Sequence, residues 1–598
     1  STPSPSTSRR LSALALACLL GVSLPATAAL AQKTKTKPAP VSEASADPVT
    51  TINVEIPTID AVAANVDEAT LRDIFSGDVV GNADALAGLT ATSITIPQIT
   101  LNSTVTLDGE TTDSAMTFED IELTNVVDGV AETVVLSGTS FALDDDISGA
   151  FGAVSANQFD IAGLLALYGL VDADEPSEMT TIYTDFTFAG GSFTAPDISC
   201  TFGAATAADF KARPINYSFA QIMALSETLD AQADDPSPEV LGKILHMYAD
   251  MMTAFESAPV AFEGFDCTGI DDDETVAFSV DSMTMGGMSP GIYPAIDIAG
   301  MDMTIGDEGT ISIGTLTFKP IDLSATIAAI QAGPDALTES WFVANARSLI
   351  PAFAGFSVGD VVIDIPDPEL EGGRIIGGIG SFDLTLSDYI NGVPTVLDTR
   401  GSNLVLELPA DTSDEQLQTL MDLGITTIDA GFVIDARWDQ TAQAIIINEV
   451  SLTGADLASV NLAGTINNAT EALFSGDETM MIAAGMGLAL SNLQLDITDT
   501  GLADIILAIA AEEQGSDPAT LRPVFAGLAE GTVIGMLAGA AEAQKVGTAV
   551  SAFVSGQASS LSINMTAKNM PGLGMLDFMM AEEDPASVLN KVTIDASN

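Results

Sequence analysis

The sequence predicts a β-rich α+β protein, an extended antiparallel sheet of meander or half-barrel character with helical hairpins inserted between strands. Three observations predict it. Apolar residues recur at every second position over many short runs, as in Ile94, Ile96, Ile99, Leu101, Val105 and Leu107, which alternate with Thr, Ser and Asn. Turn pairs such as Asp128-Gly129 and Gly190-Gly191 separate those runs at hairpin spacing. Stretches near 205–256, 324–354 and 502–553 replace the alternation with a helical period. Strands that come in runs, instead of alternating one by one with helices, exclude a doubly wound parallel fold.

Taken in order, the first residues read as an address. Arg9 and Arg10 precede an apolar run from Leu11 to about Leu24, and Pro25 and the small-x-small pattern Ala29-Leu30-Ala31 follow. This is the pattern of a signal peptide over residues 1–31, with cleavage before Gln32. The run falls short of the roughly 20 apolar residues of a span, so no integral membrane segment is expected after cleavage. Apolar sequence continues beyond Cys18, which argues against a lipoprotein site. Residues 32–50, rich in Lys, Pro, Ser and Ala, read as a flexible leader. The expected location is the periplasm or cell envelope, or the extracellular space.

Residues 51–200 read as an N-terminal β-rich unit. A helical patch around Leu71, Ile74 and Phe75 leads into Ile94 to Leu107, where Pro97 suits an edge or bulge. Strands follow at Phe118 to Leu123, Thr133 to Leu143, Ile182 to Phe188 and Phe193 to Cys200. Residues 201–266 read as a helical hairpin insertion, helical from Ala204 to Asp230 and again after the N-cap Ser237 and Pro238. In the second helix Val240, Leu241, Ile244, Leu245, Tyr248, Met251 and Met252 share one face, as does Phe255. Cys200 and Cys267 stand at the base of this insertion and are the only cysteines beyond residue 31. Two cysteines in an oxidising compartment pair, and here the bond would tie the insertion to the sheet; two free thiols are the alternative. Neither cysteine has a CxxC or nearby His partner, which argues against zinc.

Residues 267–500 read as a central β-rich unit with its own helical insertion near 324–354. Its strands are Thr275 to Ser282, Ile296 to Ile305, Ile311 to Phe318, Phe356 to Ile365, Ser381 to Ser387, Asn403 to Leu408 and Leu488 to Thr498. A hairpin is legible where Phe432, Ile434, Ala436 and Trp438 point one way, Asp439 to Thr441 turn, and Ala444 to Val450 return. Val450 to Leu457 echoes Val134 to Phe141 as a faint internal repeat. Residues 501–598 read as a C-terminal helical region with a closing strand at Leu561 to Met565. Within it Gly531, Gly535 and Gly539 have GxxxG spacing, read as close packing of a soluble helix.

Charge and composition narrow the function classes. The chain has 83 acidic and 18 basic residues, a net −65, and losing Arg9 and Arg10 takes it to −67. Such a surface repels nucleic acid and anionic headgroups. Apolar residues make up 47 %, which excludes a disordered chain. Two G-x-S-x-G matches, Gly287-Met288-Ser289-Pro290-Gly291 and Gly355-Phe356-Ser357-Val358-Gly359, lack the strand–turn–helix context of a nucleophile elbow. Pro290 has no N–H for an oxyanion hole, and His246 is the sole histidine, placed off its helix's apolar face in water. Two tryptophans give little aromatic platform for a sugar, and the Gly372 to Gly380 stretch lacks a nucleotide-binding pattern. No catalytic or cofactor-binding residue is assigned. The remaining lead is hard oxygen ligands for Ca²⁺ on two loops, Asp144, Asp145, Asp146 and Asp271, Asp272, Asp273, with a solvated acidic turn as the simpler reading.

The alternations at Ile94 to Leu107 and Phe432 to Leu462 resemble those of the AsmA-like and YdgA-like bacterial envelope proteins. That resemblance, which is one of pattern and transfers no functional residue, implies an export or anchoring segment followed by antiparallel sheet broken by helices. It also implies a part in outer-membrane lipid homeostasis. The cleavable signal departs from the family's anchor. The expected function is therefore a non-enzymatic envelope protein that binds lipid or another hydrophobic ligand on an apolar sheet face. A structural or adhesive surface protein is the first alternative, and a hydrolase with an unrecognised site the second. A lipid binder predicts an apolar face left uncovered by helices; an adhesin predicts modules closed on both faces.

Overall fold

The computed structural model describes residues 49–107, 110–144, 146–172, 178–232, 236–271, 274–306, 309–367, 373–409, 415–537, 540–581 and 585–598. The signal and nearly all of the leader therefore lie outside the described residues. The fold is strand-rich, 50 % strand against 26 % helix, with a large antiparallel sheet. The chain divides into two units. The smaller comprises residues 1–50 and Val105–Thr111, and its described part is extended backbone in which the Thr106 and Thr111 hydroxyls lie 3.4 Å apart. The larger comprises Thr51–Thr104 and Thr112–Asn598.

The first strands are β1 (Val49–Glu55), β2 (Asp60–Val62), β3 (Ala91–Leu107), β4 (Glu110–Val127), β5 (Val130–Leu143), β6 (Ile147–Phe151) and β7 (Val154–Asp160). Next come β8 (Thr180–Phe188), β9 (Gly191–Ala195), β10 (Ile198–Phe202), β11 (Ala205–Ala212), β12 (Phe255–Ser257), β13 (Val260–Asp271) and β14 (Glu274–Met285). The middle holds β15 (Ile292–Tyr293), β16 (Ile296–Ile305), β17 (Gly309–Phe318), β18 (Ile321–Asp322), β19 (Ala352–Phe353), β20 (Gly355–Pro366), β21 (Arg374–Ile390) and β22 (Val393–Glu407). The last are β23 (Thr427–Asp439), β24 (Ala444–Gly454), β25 (Ala458–Asn467), β26 (Ala489–Asp499), β27 (Ser560–Ala567), β28 (Leu573–Gly574) and β29 (Val592–Ser597).

The helices are α1 (Glu68–Phe75), α2 (Ala83–Ala87), α3 (Ile161–Leu167), α4 (Phe219–Ala231), α5 (Pro238–Met251), α6 (Ser324–Gln331) and α7 (Glu339–Asn345). They continue with α8 (Glu415–Asp422), α9 (Glu478–Met486), α10 (Leu502–Gln514), α11 (Pro518–Met536), α12 (Ala543–Val554), α13 (Met575–Ala581) and α14 (Pro585–Leu589). Their starts follow the capping rule that a short oxygen side chain satisfies an orphan N–H. Ser218 and Gln221 form a capping box on α4, and Ser237 caps α5 with Pro238 in its first turn.

Strand pairing runs almost strictly from neighbour to neighbour. From β13 the order is β14, β16, β17, β20, β21, β22, β23, β24, β25, β26, β27 and β29, every pair antiparallel. On the other side of β13 the strands are shorter and doubled: β10 and β11 both pair with β13, β9 and β8 follow, then β6 and β7, which share β5. The small strands β15, β18 and β19 form a separate three-stranded sheet.

Simple alternation cannot hold over strands this long, and the chain resets it. Asp120, Asn125 and Asp185 have positive φ, and apolar residues three apart flank each of them. The consequence is visible in packing: Phe118 and Ile121, and Leu123 and Val126, all join one core cluster, and the Tyr183 and Phe186 rings touch at 5.6 Å. A left-handed residue turns the backbone over, so a three-residue step returns the side chain to the same face. Gly264, Gly300 and Asp360 have positive φ with the same flanking pattern in β13, β16 and β20.

Helices close the two ends of this strand series. Leu71, Ile74 and Leu86, from α1 and α2, and Leu165 of α3 pack on β3, β4 and β5, where Ile94 and Ile96 are fully buried. At the other end Val546 and Ala549 of α12 pack on Leu561 of β27 and Ala596 of β29. The α5, α6 and α7 region forms its own cluster around Ala249, Ile327 and Ile330.

Several expectations need correction. Residues 205–212 are strand β11, so the helical insertion starts only at α4; the small residues Ala205, Ala207 and Ala212 are sealed against neighbouring strands. The span 324–354 is two short helices parted by a Gly-Pro turn, and 502–553 is three. A further strand, β29, follows β27. The supposed repeat is not structural, because Val134 to Phe141 lies inside β5 whereas Val450 to Leu457 leaves β24 into a turn. Gly531 and Gly535 face open space, and Gly539 lies outside the described residues; the close approach in this region is at Gly547, which sits on Ile534 and the Glu530 carbonyl.

Candidate ligand-binding face

Cross-strand registers sort the side chains of the larger unit into rows. One row reads Phe262, Met283, Ile298, Leu316, Val358 and Phe382 across six adjacent strands. It continues through Gly401, Phe432, Leu452, Val460 and Ile497 to Leu561. Every position is apolar, and the one glycine is occupied from above: a Cβ at Gly401 would meet the Phe432 ring at 2.5 Å. A parallel row runs Phe265, Val280, Met301, Ile313, Val361, Ile379 and Leu404. Ring contacts mark the same face, Phe202 to Phe265 at 5.2 Å, Phe356 to Phe382 at 5.2 Å and Phe382 to Phe432 at 6.2 Å.

The opposite face has the opposite chemistry. Its matching row reads Thr284, Asp297, Thr317, Ser357, Asp383, Arg400. Hydroxyls there donate to carboxylates, Thr317 to Asp297 at 2.7 Å and Ser312 to Asp302 at 2.5 Å. The Lys319 ammonium donates to Asp383 at 2.7 Å and to the Leu384 carbonyl at 3.1 Å. Arg400 clamps Asp398 with two bonds of 2.7 and 2.8 Å, and that hydrogen bonding holds the Asp398 carboxyl below its ordinary range.

Burial separates the two ends from the middle. Among the described residues, the sheet from β13 to β25 contributes only Val361 and Ala444 to the buried hydrophobic residues. The other apolar side chains of the two rows over this stretch are half-buried by one another, and some stand exposed, Leu452 at 63 % and Val460 at 38 %. No core cluster of described residues lies over this stretch. The apolar face therefore has helical caps at its ends and lies open between them.

The remaining residues of interest do not assemble a reactive centre. His246 is half-buried, not free in water, and its Nδ1 lies 2.8 Å from the carbonyl of Gly242 one turn back, as donation from an N–H requires. Ser289 lies in a loop and Ser357 near the start of strand β20, with strand continuing after it, so neither occupies an elbow. Asp144 serves backbone structure, accepting the Asp113 N–H at 2.9 Å with its side chain. Asp145, Asp272 and Asp273 lie outside the described residues, as does the side chain of Asp271. Among the described residues no group of His, Cys, Asp and Glu is placed to hold a metal. A shallow depression of about 430 Å³ lies elsewhere, lined by the hydroxyls of Thr117, Ser140, Ser148 and Ser192, by alanine methyls and by Phe141, with no carboxylate or cation.

Cys200 and Cys267 pair as expected, but where the bond sits and what holds the helical insertion escaped the sequence reading. Cys200 and Cys267 are directly opposed in register on β10 and β13, at disulfide-bonding distance with Cα atoms 4.1 Å apart, so they join two strands and do not stand at a helix base. The helical insertion is held instead by Asp250, whose carboxylate accepts from Arg213 at 2.8 Å, from the Asn216 N–H at 2.6 Å and from the Asn216 side-chain amide at 2.7 Å. The signal for it was a lone Arg-Pro after an Ala-rich strand, which specifies no partner.

Fold and face together define a class, a strand-rich protein organised around an open amphipathic antiparallel sheet. Beyond the class, a family model described as "Uncharacterized protein" matches residues 451–598, from late β24 to the C-terminus. No curated protein matches the chain. No described helix is long and apolar enough to cross a membrane.

Proposed function

We propose that the protein binds a lipid acyl chain, or another extended hydrophobic ligand, along the apolar face between β13 and β27. The observation that carries this reading is the unbroken apolar row from Phe262 to Leu561 with no helix over its middle. Left in water, such a face costs roughly 25 cal/mol for each Å² of apolar surface, and a contiguous open patch of this kind is characteristic of binding surfaces. A flexible chain laid along the row replaces that water without needing a directional partner.

The paired positions of Cys200 and Cys267 support an oxidising location, and with the predicted signal peptide they favour the periplasm or cell envelope. The resemblance to AsmA-like and YdgA-like proteins points the same way. The test is mass spectrometry of lipid that copurifies with the exported chain, followed by titration of the delipidated protein with a fluorescent fatty acid. Stoichiometric lipid and saturable binding support the reading. A protein that carries no lipid and takes up no fatty acid overturns it.

A further inference from the structure

A second apolar surface lies at one edge of the sheet. Helix α9 runs directly into β26, and α13 leaves from β28, which pairs with the start of β26 through Ala489–Gly574 and Leu490–Leu573. The intervening loops are pinned at the end of β25, where Asn467 donates to the Pro571 carbonyl at 2.9 Å and Asn468 to the Gly487 carbonyl at 3.1 Å. These bonds bring three termini to one place, and each carries an exposed methionine: Met486 at 67 %, Met570 at 77 % and Met575 at 52 %. Leu576 and Met579 extend the patch at 73 % and 62 %. Leu490 also pairs with Ile466 inside the sheet, so the patch adjoins the end of the apolar face.

Charge narrows what can sit there. In a chain of net −65, residues 479–490 contain no charged side chain, and residues 570–581 contain one. That one, Asp577, is neutralised by Lys591 at 2.5 Å and accepts the Gly574 N–H at 2.9 Å. A second copy of the chain, an acidic protein or an anionic leaflet would each bring like charge against the surrounding surface. A zwitterionic bilayer surface brings none. Methionine suits it, because unbranched thioethers conform to an irregular, fluid partner. We infer that α9, α13 and the Met570 loop dock the protein on a zwitterionic lipid surface, placing the end of the apolar face against the leaflet. This inference rests on the lipid-binding reading above and names the surface with which that face exchanges its ligand.

The test is hydrogen–deuterium exchange of the full chain with and without phosphatidylcholine vesicles. Peptides covering 479–490 and 570–581 become at least fivefold slower to exchange on the vesicles, and phosphatidylglycerol vesicles give less protection. The double variant Leu576→Glu, Met579→Glu, altered only at exposed side chains, loses the protection in both peptides while it still takes up fluorescent fatty acid from solution. Unchanged exchange of both peptides on phosphatidylcholine overturns the inference, as does equal protection of the variant, or a sedimentation result in which the same substitutions dissociate a dimer. Docking without fatty-acid uptake would sink the groove reading and spare this one; uptake without docking does the reverse.

Discussion

Removing the carboxylate of Asp250 should release the α4–α5 insertion from the sheet while leaving the long strands intact. The Asp250 side chain is 8 % exposed and that of Arg213 16 %, so the pair is largely withdrawn from water. Breaking a buried ion pair from one side costs about 3–5 kcal/mol, because the remaining charge is stranded. Here Arg213 retains three oxygen partners, the Asp250 carbonyl at 3.2 Å, Thr253 at 2.8 Å and Pro214 at 2.9 Å, which places Asp250→Ala at the lower end, about 3 kcal/mol. At 1.4 kcal/mol per decade that is roughly a hundredfold rise in local opening. Hydrogen exchange of the amides in 238–251 and at Asn216 reads it directly, with β20 to β26 as the unaffected control. A replacement of both charges, Arg213→Met with Asp250→Leu, should recover most of the loss, since two apolar groups strand no charge. Protection in 238–251 that stays within threefold of wild type in Asp250→Ala would refute the reasoning.

Other outcomes follow from the same geometry. Reduction, or Cys200→Ala with Cys267→Ala, removes a closure of 67 residues, worth about 4 kcal/mol in the chain-entropy model, and urea melts of the β9–β13 region should shift accordingly; identical melts with and without reductant would count against the bond. Leu452→Asp places a charge on the open apolar row at a position exposed enough to tolerate it, so fatty-acid affinity should fall at least tenfold with an unchanged circular-dichroism spectrum. Asp398 and Asp577 have carboxyl pKa values lowered from 3.8, chiefly by side-chain hydrogen bonds from Arg400 and Lys591. A depressed folded-state value means that their stabilisation is present above 3.8 and is lost as pH falls through the lower folded value. The NMR titration of each carboxyl should therefore lie below 3.8, and Arg400→Met should move that of Asp398 upward; an unmoved midpoint would remove the assigned cause.

The strands were legible because period-2 alternation is local: Ile296 to Ile305 was delimited to the residue, and the Phe432–Trp438 row pairs as the pattern required. What was illegible needed more than one strand. Ala205 to Ala212 reads as helix by composition and is strand because small residues fit between β8 and β13. The left-handed positions at Asp120, Asp185, Gly264 and Asp360 look like interruptions in a linear reading, yet they keep the apolar side continuous. Openness of the apolar face could not be read at all, since it depends on where helices fail to pack. The edge patch was hidden for a related reason: Met486 lies far in sequence from Met570 and Met575, and only β26–β28 pairing brings their elements together.

The neighbour-to-neighbour order from β13 to β27 has an evolutionary reading. A strand in such a series answers to two companions only, so a hairpin can be spliced in or dropped without rethreading the rest, provided its greasy residues match the rows on either side. Length of the lipophilic track then becomes a heritable dial, turned by duplication and deletion while the capped extremities are preserved. The same order suits a chain synthesised from one end, because each newly made strand finds its template already in place.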